Sequence, residues 1–337
     1  MKPDRLNALL RQFAAKRVLV IGDLMLDEFI WGRVSRISPE APVPVVEVVR
    51  ENCYPGGAAN VARNVREFTA HVQLCGLIGV DSYADRLRAL LAQCRIGLQP
   101  LQSEPGHQTI VKTRIVARQQ QVVRVDRERP QAPNRDVVER TLAAVAMLLP
   151  ELDAVVFEDY GKGFLSQGLI DQIAPMAAAQ KVVVTADPNP RNPLRWRGMT
   201  AIKPNRAEAF AAAGEVYCEP DPDPAQDEAL NRVGMRLVSE WGPKLLLVTL
   251  GEQGMMLFQP DRPPSHIPPR AREVYDLSGA GDTAIALLTL ALACDASPRE
   301  AAQISNHASG VVVGKLGTAT LTPEELRESF RRDEPYA

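Results

Sequence analysis

Six short runs rich in Val, Ile and Leu recur along the chain, at 17–23, 71–79, 153–159, 181–187, 200–205 and 244–251, and helical segments of a dozen or more residues separate them. Within these runs the apolar residues do not alternate with polar ones. A strand that is apolar on both sides must be covered on both sides, which is the condition of a parallel sheet between two helix layers. The main body is therefore expected to be a doubly wound α/β fold.

Two regions break this rhythm. The stretch 29–50 carries Pro-x-Pro punctuation and an alternating run at 43–49, while 109–117 and 121–128 alternate around the polar tip 118–120 in the manner of a hairpin. Four such strands would make a small separate sheet whose apolar face needs cover, either from the mouth of an active site or from a second copy. The expectation is one domain over 1–337 with lid segments at about 29–50 and 108–128, dimerising through the lid. Extra edge strands on the main sheet are the alternative. The segment 220–224 (Pro-Asp-Pro-Asp-Pro) reads as a surface loop, and no internal repeat is visible.

Composition excludes several classes. With 337 residues, 45% of them hydrophobic, the chain can bury a large core. A formal charge of −2 and the lack of a basic block supply no field for nucleic acid or an anionic membrane. Five scattered cysteines without a Cys-x-x-Cys pair fit neither a disulfide framework nor a zinc site, so a reducing cytoplasm is expected. Asp4 before Leu6, Leu9, Leu10 and Phe13 reads as an amphipathic helix and not as an export signal. The apolar run 284–293 is about half the length of a membrane span and should be a buried helix. Ser297-Pro298-Arg299-Glu300 and Thr322-Pro323-Glu324-Glu325 each offer a cap, a first-turn proline and a returning glutamate.

Polar residues gather where the expected strands end: Asp23 and Asp27, Glu158 and Asp159, Asp187 and Asn189, Lys203 and Asn205, Thr249 and Gly251. Ligands of open α/β sheets bind outside the carboxyl ends of the strands, so this placement points to one crevice, although each residue alone could be a turn former or cap. The strongest element is Ser278-Gly279-Ala280-Gly281-Asp282, leading into the apolar helix. Its glycines let the backbone approach a ligand, and the amides of Ala280, Gly281 and Asp282 lie at the positive end of the helix. Such a nest suits the charge of a transferring phosphoryl group, and Asp282 beside it can accept the proton of an attacking hydroxyl. A plain N-cap carboxylate is the alternative. The loose dinucleotide fingerprint Gly279-x-Gly281-x-x-Ala284 would set Asp282 against a pyrophosphate, and no Gly-x-x-x-x-Gly-Lys-Ser/Thr occurs, so neither a dehydrogenase nor a P-loop kinase is expected.

Two further motifs add to this. Pro55-Gly56-Gly57-Ala58-Ala59-Asn60 turns into a helix, so that a substrate could lie on the backbone of Gly56 and Gly57 and hydrogen-bond to Asn60; a plain helix start is equally open. In Lys203-Pro204-Asn205-Arg206-Ala207-Glu208, Asn205 and Glu208 share a helical face and could hold the water shell of a nucleotide-bound magnesium, or could simply cap the helix.

Over nearly its whole length the chain resembles the ribokinase-like (PfkB) carbohydrate kinases. The glycine pair with Asn60, the 203–208 segment, Val248-Thr249-Leu250-Gly251 and Gly279 to Asp282 match in order and spacing. The resemblance implies a three-layer α/β core with a β lid, ATP and magnesium, Asp282 as base, and Gly279, Ala280 and Gly281 with Asp282 as the anion hole. It further implies Thr249, Gly251, Gly254 and Asn306 at the nucleotide. A monovalent cation (K+) near Asp276 and Ser278 belongs to the pattern of some members.

Within the family, Gly22-Asp23-Leu24-Met25-Leu26-Asp27, Ser35-Arg36-Ile37-Ser38-Pro39-Glu40-Ala41-Pro42-Val43-Pro44 and Phe157-Glu158-Asp159-Tyr160-Gly161-Lys162-Gly163 are similar to the branch that phosphorylates the anomeric hydroxyl of D-glycero-D-manno-heptose 7-phosphate, on the route to ADP-heptose and lipopolysaccharide. Many members of that branch are fused to a nucleotidyltransferase. None of His71, His107, His266 or His307 lies in a His-x-Gly-His motif, so that second activity is not expected here. A sugar phosphate needs cations of its own, and Arg33, Arg36, Lys112, Arg114 and Lys162 are the candidates, of which about two should touch the phosphate. Asp23, Asp27 and Glu158 would accept hydrogen bonds from the sugar hydroxyls. The alternatives are another kinase of the family, acting on an unphosphorylated sugar or nucleoside, and a non-catalytic nucleotide or sugar sensor that kept the fold.

Overall fold

The computed structural model describes residues 1–117, 120–270, 275–315 and 317–332. Fourteen strands and ten α-helices are described. The strands are β1 (Arg17–Gly22), β2 (Leu24–Ile37), β3 (Pro44–Gly57), β4 (His71–Cys75), β5 (Leu77–Ile78), β6 (Gln102–Ser103), β7 (Ile110–Ala117), β8 (Gln120–Arg127), β9 (Ala154–Glu158), β10 (Val183–Asp187), β11 (Ala201–Ile202), β12 (Leu245–Thr249), β13 (Met255–Gln259) and β14 (Arg262–Ile267). The helices are α1 (Pro3–Phe13), α2 (Ala58–Arg66), α3 (Ser82–Gln93), α4 (Arg135–Leu148), α5 (Gln167–Ala179), α6 (Arg206–Ala212), α7 (Glu228–Trp241), α8 (Ala280–Ala293), α9 (Pro298–Val312) and α10 (Pro323–Arg331).

All six apolar runs enter one eight-stranded sheet, in the order β14-β13-β12-β11-β10-β9-β1-β4. It is parallel from β4 to β12 and turns antiparallel only at the β13 and β14 edge. Each strand sends alternate residues to opposite faces. Val18, Val20 and Val156 meet α1, α2, α8 and α9 in one core, whereas Leu19, Ile21 and Phe157 meet α4, α5 and α7 in the other. Three layers result, as the unbroken apolar runs require.

Some elements differ from the expectation. The run 71–79 divides at Gly76 into β4 and β5, and a side chain at Gly76 would lie 2.6 Å from Leu24 Cγ. The edge hairpin of β13 and β14 was not foreseen: Pro263 and Pro264 in β14 disguise a strand that only an edge position tolerates. Both expected C-terminal caps form complete capping boxes, on Ser297 with Glu300 and on Thr322 with Glu325. The N-terminal amphipathic helix is α1, and α8 is buried along almost its whole length. No helix among the described residues is long and apolar enough to cross a membrane.

The small sheet is separate from the main one and runs β3-β2-β7-β8. Its first two strands are longer than the sequence suggested, fourteen residues each, because they rise directly from the main body at Leu24 and return to it at Gly57. The tip residues Arg118 and Gln119 lie outside the described residues. Every residue of β8 is exposed, and Val123 and Val125 are among the large apolar side chains open to solvent, along with Ile37, Val48 and Val49.

Strands β1 and β9 pack closely at Gly22, where a Cβ would come within 2.1 Å of the Glu158 carbonyl oxygen. Gly22→Ala is expected to cost about 3 kcal/mol of stability, read as a lower denaturant midpoint with an unchanged slope. A midpoint equal to that of the unsubstituted chain would show that the two strands part without strain.

Candidate active site

Pairing aligns the ends of three neighbouring strands, with Gly22 beside Glu158 and Glu158 beside Asp187, so the polar residues that follow the apolar runs stand in one row. The first turn of α8 lies against this row. A buried hydrogen bond of 2.6 Å between Thr185 and Thr289 fixes the helix to β10, and Thr283 reaches Asn64 of α2 at 2.9 Å.

Asp282 sits on that first turn, 4% exposed. It does not cap the helix: the N-cap is Gly279, held at φ +80°, and the Asp282 carboxylate points to the neighbouring elements. Asn60 donates to Oδ2 at 2.6 Å and the Tyr160 hydroxyl donates to Oδ1 at 2.7 Å. A side chain on Gly279 would meet Asn60 Nδ2 at 2.7 Å, so the glycine is needed both for the turn and for Asn60 to reach the carboxylate. Burial pushes the Asp282 pKa up, while the two donors and Lys203 pull it back, and the net shift is upward. The nest is smaller than the sequence suggested. The Ala280 amide closes a turn onto Leu277 at 3.3 Å, which leaves Gly281 and Asp282 to offer theirs.

Beside Gly281 lies a buried ion pair between Asp187 and Lys203, two strand-end residues to which the sequence assigned no particular role. Lys203 Nζ is 2.7 Å from Asp187 Oδ2, and a Cβ on Gly281 would stand 3.5 Å from that same nitrogen. Burial raises Asp187 to about 7, with Lys203 opposing. Burial works against the ammonium of Lys203 as well, yet Asp187, Glu208 and Glu158 hold it charged above its ordinary value. Glu158, 2% exposed with Oε2 unpartnered, is pushed well above the carboxylate range by burial and by Asp187 and Asp282. The signal was available, since Asp187 and Lys203 both end apolar runs and Tyr160 stands in the 157–163 motif.

The structure brings together most of the residues expected at a nucleotide. Thr249, Gly251, Gly254, Asn306, Ala280 and Gly281 line one cleft of about 470 Å³ that ends at the first turn of α8. Asn306 is fixed there by donating to the Pro268 carbonyl at 2.6 Å. Asn205 and Glu208 are not in its lining. They form a reciprocal capping box at the start of α6, the simpler of the two readings open at the outset, with Oε1 of Glu208 left outside that ring. Asp276 accepts from the amides of Ser278 and Gly317 at 2.9 and 3.0 Å, which closes the loop before α8.

On the sugar side the picture is mixed. Asp23 faces protein, not an open cleft: its carboxylate accepts from the amides of Tyr160 and Lys162 at 2.9 Å and of Phe164 at 3.1 Å. Asp27 pairs with Arg114 and approaches Gly56 so closely that a Cβ there would lie 2.1 Å from Oδ2. Gly57 turns the chain into α2 at φ +60°. Lys162 is bound by Glu128 at 2.7 Å, and Lys112 lies 3.9 Å from Asp126. Burial lowers the Lys112 pKa, and the nearby charge of Lys162 lowers it further. Lys112 and Arg114 thus stand beside Asp27, and the ammonium of Lys162 is near enough to act on Lys112. Arg33 does not join them. It lies six residues farther along β2, roughly 20 Å away, and Arg36 beyond it is exposed as well.

A buried carboxylate between two hydrogen-bond donors, a helix start with free amides and an adjoining cleft meet on a three-layer α/β fold, an arrangement suited to phosphoryl transfer. The chain belongs to the pfkB family of carbohydrate kinases, whose family model matches residues 15–325. A protein of Pectobacterium atrosepticum named bifunctional protein HldE is 43% identical over 324 residues, and one of that name from Desulfatibacillum aliphaticivorans is 38% identical over 326 residues. The alignments cover 96% of this chain but 65% of each relative's length, so the chain spans about two thirds of those proteins. Among solved structures, phosphofructokinase-2 of Escherichia coli with potassium aligns with a TM-score of 0.72 at 17% identity, covering 94% of this chain and 99% of that one. A ribokinase of Arabidopsis thaliana with ribose and ATP aligns with a TM-score of 0.69 at 18% identity and the same coverage. The ribokinase-like fold with its additional small sheet is therefore shared.

Asp159 gives this site a measurable pH dependence. It is 4% exposed with Oδ2 unpartnered, and burial raises it to about 7 from 3.8. A carboxyl raised in the folded state contributes stability at low pH that is lost as pH rises through the folded value. Asp159→Asn should therefore gain on the unsubstituted chain between pH 5 and 8, by about 2 kcal/mol, in denaturation at both values. A constant difference would show that Asp159 ionises freely in the folded protein.

Proposed function

We propose that this carbohydrate kinase phosphorylates the anomeric hydroxyl of D-glycero-D-manno-heptose 7-phosphate at the expense of ATP, giving the 1,7-bisphosphate, in the cytoplasm and on the route to ADP-heptose and lipopolysaccharide. The observation that carries the reading is the position of Asp282, a buried carboxylate held by two donors on the same helical turn as Ala280 and Gly281, which line the cleft. The motifs shared with the heptose branch, the relatives named HldE and the cationic group Lys112, Arg114 and Lys162 support the choice of a phosphorylated sugar.

In this mechanism Asp282 draws the proton from the anomeric hydroxyl as its oxygen attacks, and the amides of Gly281 and Asp282 meet the charge that builds on the phosphoryl oxygens. Lys203, held charged by Asp187, stands beside the same turn and adds a fixed positive charge. Magnesium brought in with the nucleotide would neutralise phosphate charge, and Glu208 would hold it through a water on the oxygen that its capping box leaves over, with Asn205 keeping that carboxylate in position. Asn60 and Asp27 face the sugar. Lys112, Arg114 and Lys162 hold the acceptor phosphate by exchanging their present carboxylate partners for it.

The exposed apolar face of the small sheet, with Val123 and Val125 on β8, supports dimerisation through the lid. Val123→Asp with Val125→Asp should turn a dimer into a monomer in sedimentation. A sedimentation coefficient unchanged by the two charges would sink the lid interface.

Asp282→Asn should lower turnover about a hundredfold to ten-thousandfold with little change in ATP affinity. Undiminished turnover would leave Asp282 without a role as base. The acceptor is tested by ATP consumption with heptose 7-phosphate against fructose, ribose and adenosine, in potassium and in sodium. Indifference to the terminal phosphate would reject the heptose reading, and no consumption with any acceptor would favour a sensor.

A further inference from the structure

We infer that Tyr160 is a positioning residue for the base, set in place by Asp23. The turn that carries Tyr160 follows β9, and its backbone is bound from one side: the Asp23 carboxylate accepts three amides of the turn, those of Tyr160, Lys162 and Phe164. Gly161 at φ +64° and Gly163 at φ +104° give the turn the shape that aims these amides at a single carboxylate. With the backbone fixed, the Tyr160 hydroxyl arrives 2.7 Å from Asp282 Oδ1, opposite Asn60 on Oδ2. Burial and the charges of Asp282 and Glu158 hold the phenol well above its ordinary pKa, so Tyr160 remains a donor at every working pH.

A carboxylate held at both oxygens cannot rotate, and its charge is partly matched before a sugar arrives. Each oxygen keeps a second lone pair, so the attacking hydroxyl can be received without displacing either donor. This inference rests on Asp282 being the base. It gives Asp23, which lies in the heptose-branch motif, a role that needs no contact with the sugar, and it joins two strand ends, β1 and β9, to one functional group on α8.

Removing the phenolic oxygen leaves Asp282 facing Asn60, Lys203, Asp27, Glu158 and Asp187 as before, but without one donor that lowers its pKa. The base then protonates more readily, and the acid limb of turnover moves to higher pH. The experiment compares Tyr160→Phe and Asp282→Asn with the unsubstituted chain, using the best acceptor from the substrate panel and determining kcat, sugar KM, ATP affinity and the pH profile of kcat. For Tyr160→Phe the expected result is a kcat lower by about tenfold to a hundredfold, the loss of one hydrogen bond to a charged group, with sugar KM and ATP affinity within about threefold. Its acid limb should move upward by up to about one unit. Unchanged kcat and an unmoved limb in Tyr160→Phe, with Asp282→Asn inactive, would overturn the inference alone. A raised KM at constant kcat would overturn it too, by making Tyr160 a sugar ligand. An active Asp282→Asn would instead remove the base on which the inference stands.

Discussion

The central constraint on this molecule is the crowding of buried carboxylates at one end of its sheet. Asp23, Asp27, Glu158, Asp159, Asp187 and Asp282 are all nearly inaccessible to water, and only a few of them face a cation. Charges so placed are tolerated when amides, hydroxyls or a paired ammonium replace the lost water, or when the group keeps its proton. The structure uses several of these means: three amides on Asp23, two side-chain donors on Asp282 and Lys203 on Asp187, while burial and its acidic neighbours push Glu158 well above the carboxylate range. The same crowding attracts cations and the hydroxyls of a polar ligand, so the cost to folding and the capacity for chemistry have one origin.

Much of this was legible in the sequence because it depends on local pattern. Strands apolar on both faces announced a covered parallel sheet, and the polar residues ending them marked the rim where ligands bind. Gly279 to Asp282 carried its own meaning, since a helix opened by glycines beside a carboxylate has few purely structural uses. The gathering of Thr249, Gly251, Gly254 and Asn306 in the lining of one cleft was legible through the family resemblance.

What stayed hidden depends on partners distant in sequence. Nothing near Asp23 indicates that its carboxylate will be filled by amides about 137 to 141 residues away. Asn205 and Glu208 suit a metal or a cap equally by spacing, and only the observed geometry places them in a capping box. Arg33 shared a segment with Asp27, yet it lies six residues farther along the extended strand β2, which carries it away from the others. The β14 edge was concealed by two prolines that report on local preference and not on an outer position.

The small sheet also has an unusual root. One of its two longest strands begins one residue after Asp23, and that strand's partner ends at Gly57, directly before the helix that bears Asn60. No linker separates cover from site. Any swing of those two strands must be taken up within a residue or two of Leu24 and Gly57, so displacement at the rim is transmitted to Asp27 as through a short lever. In the proposed kinase, opening the cover and disturbing the acceptor pocket are, mechanically, a single event.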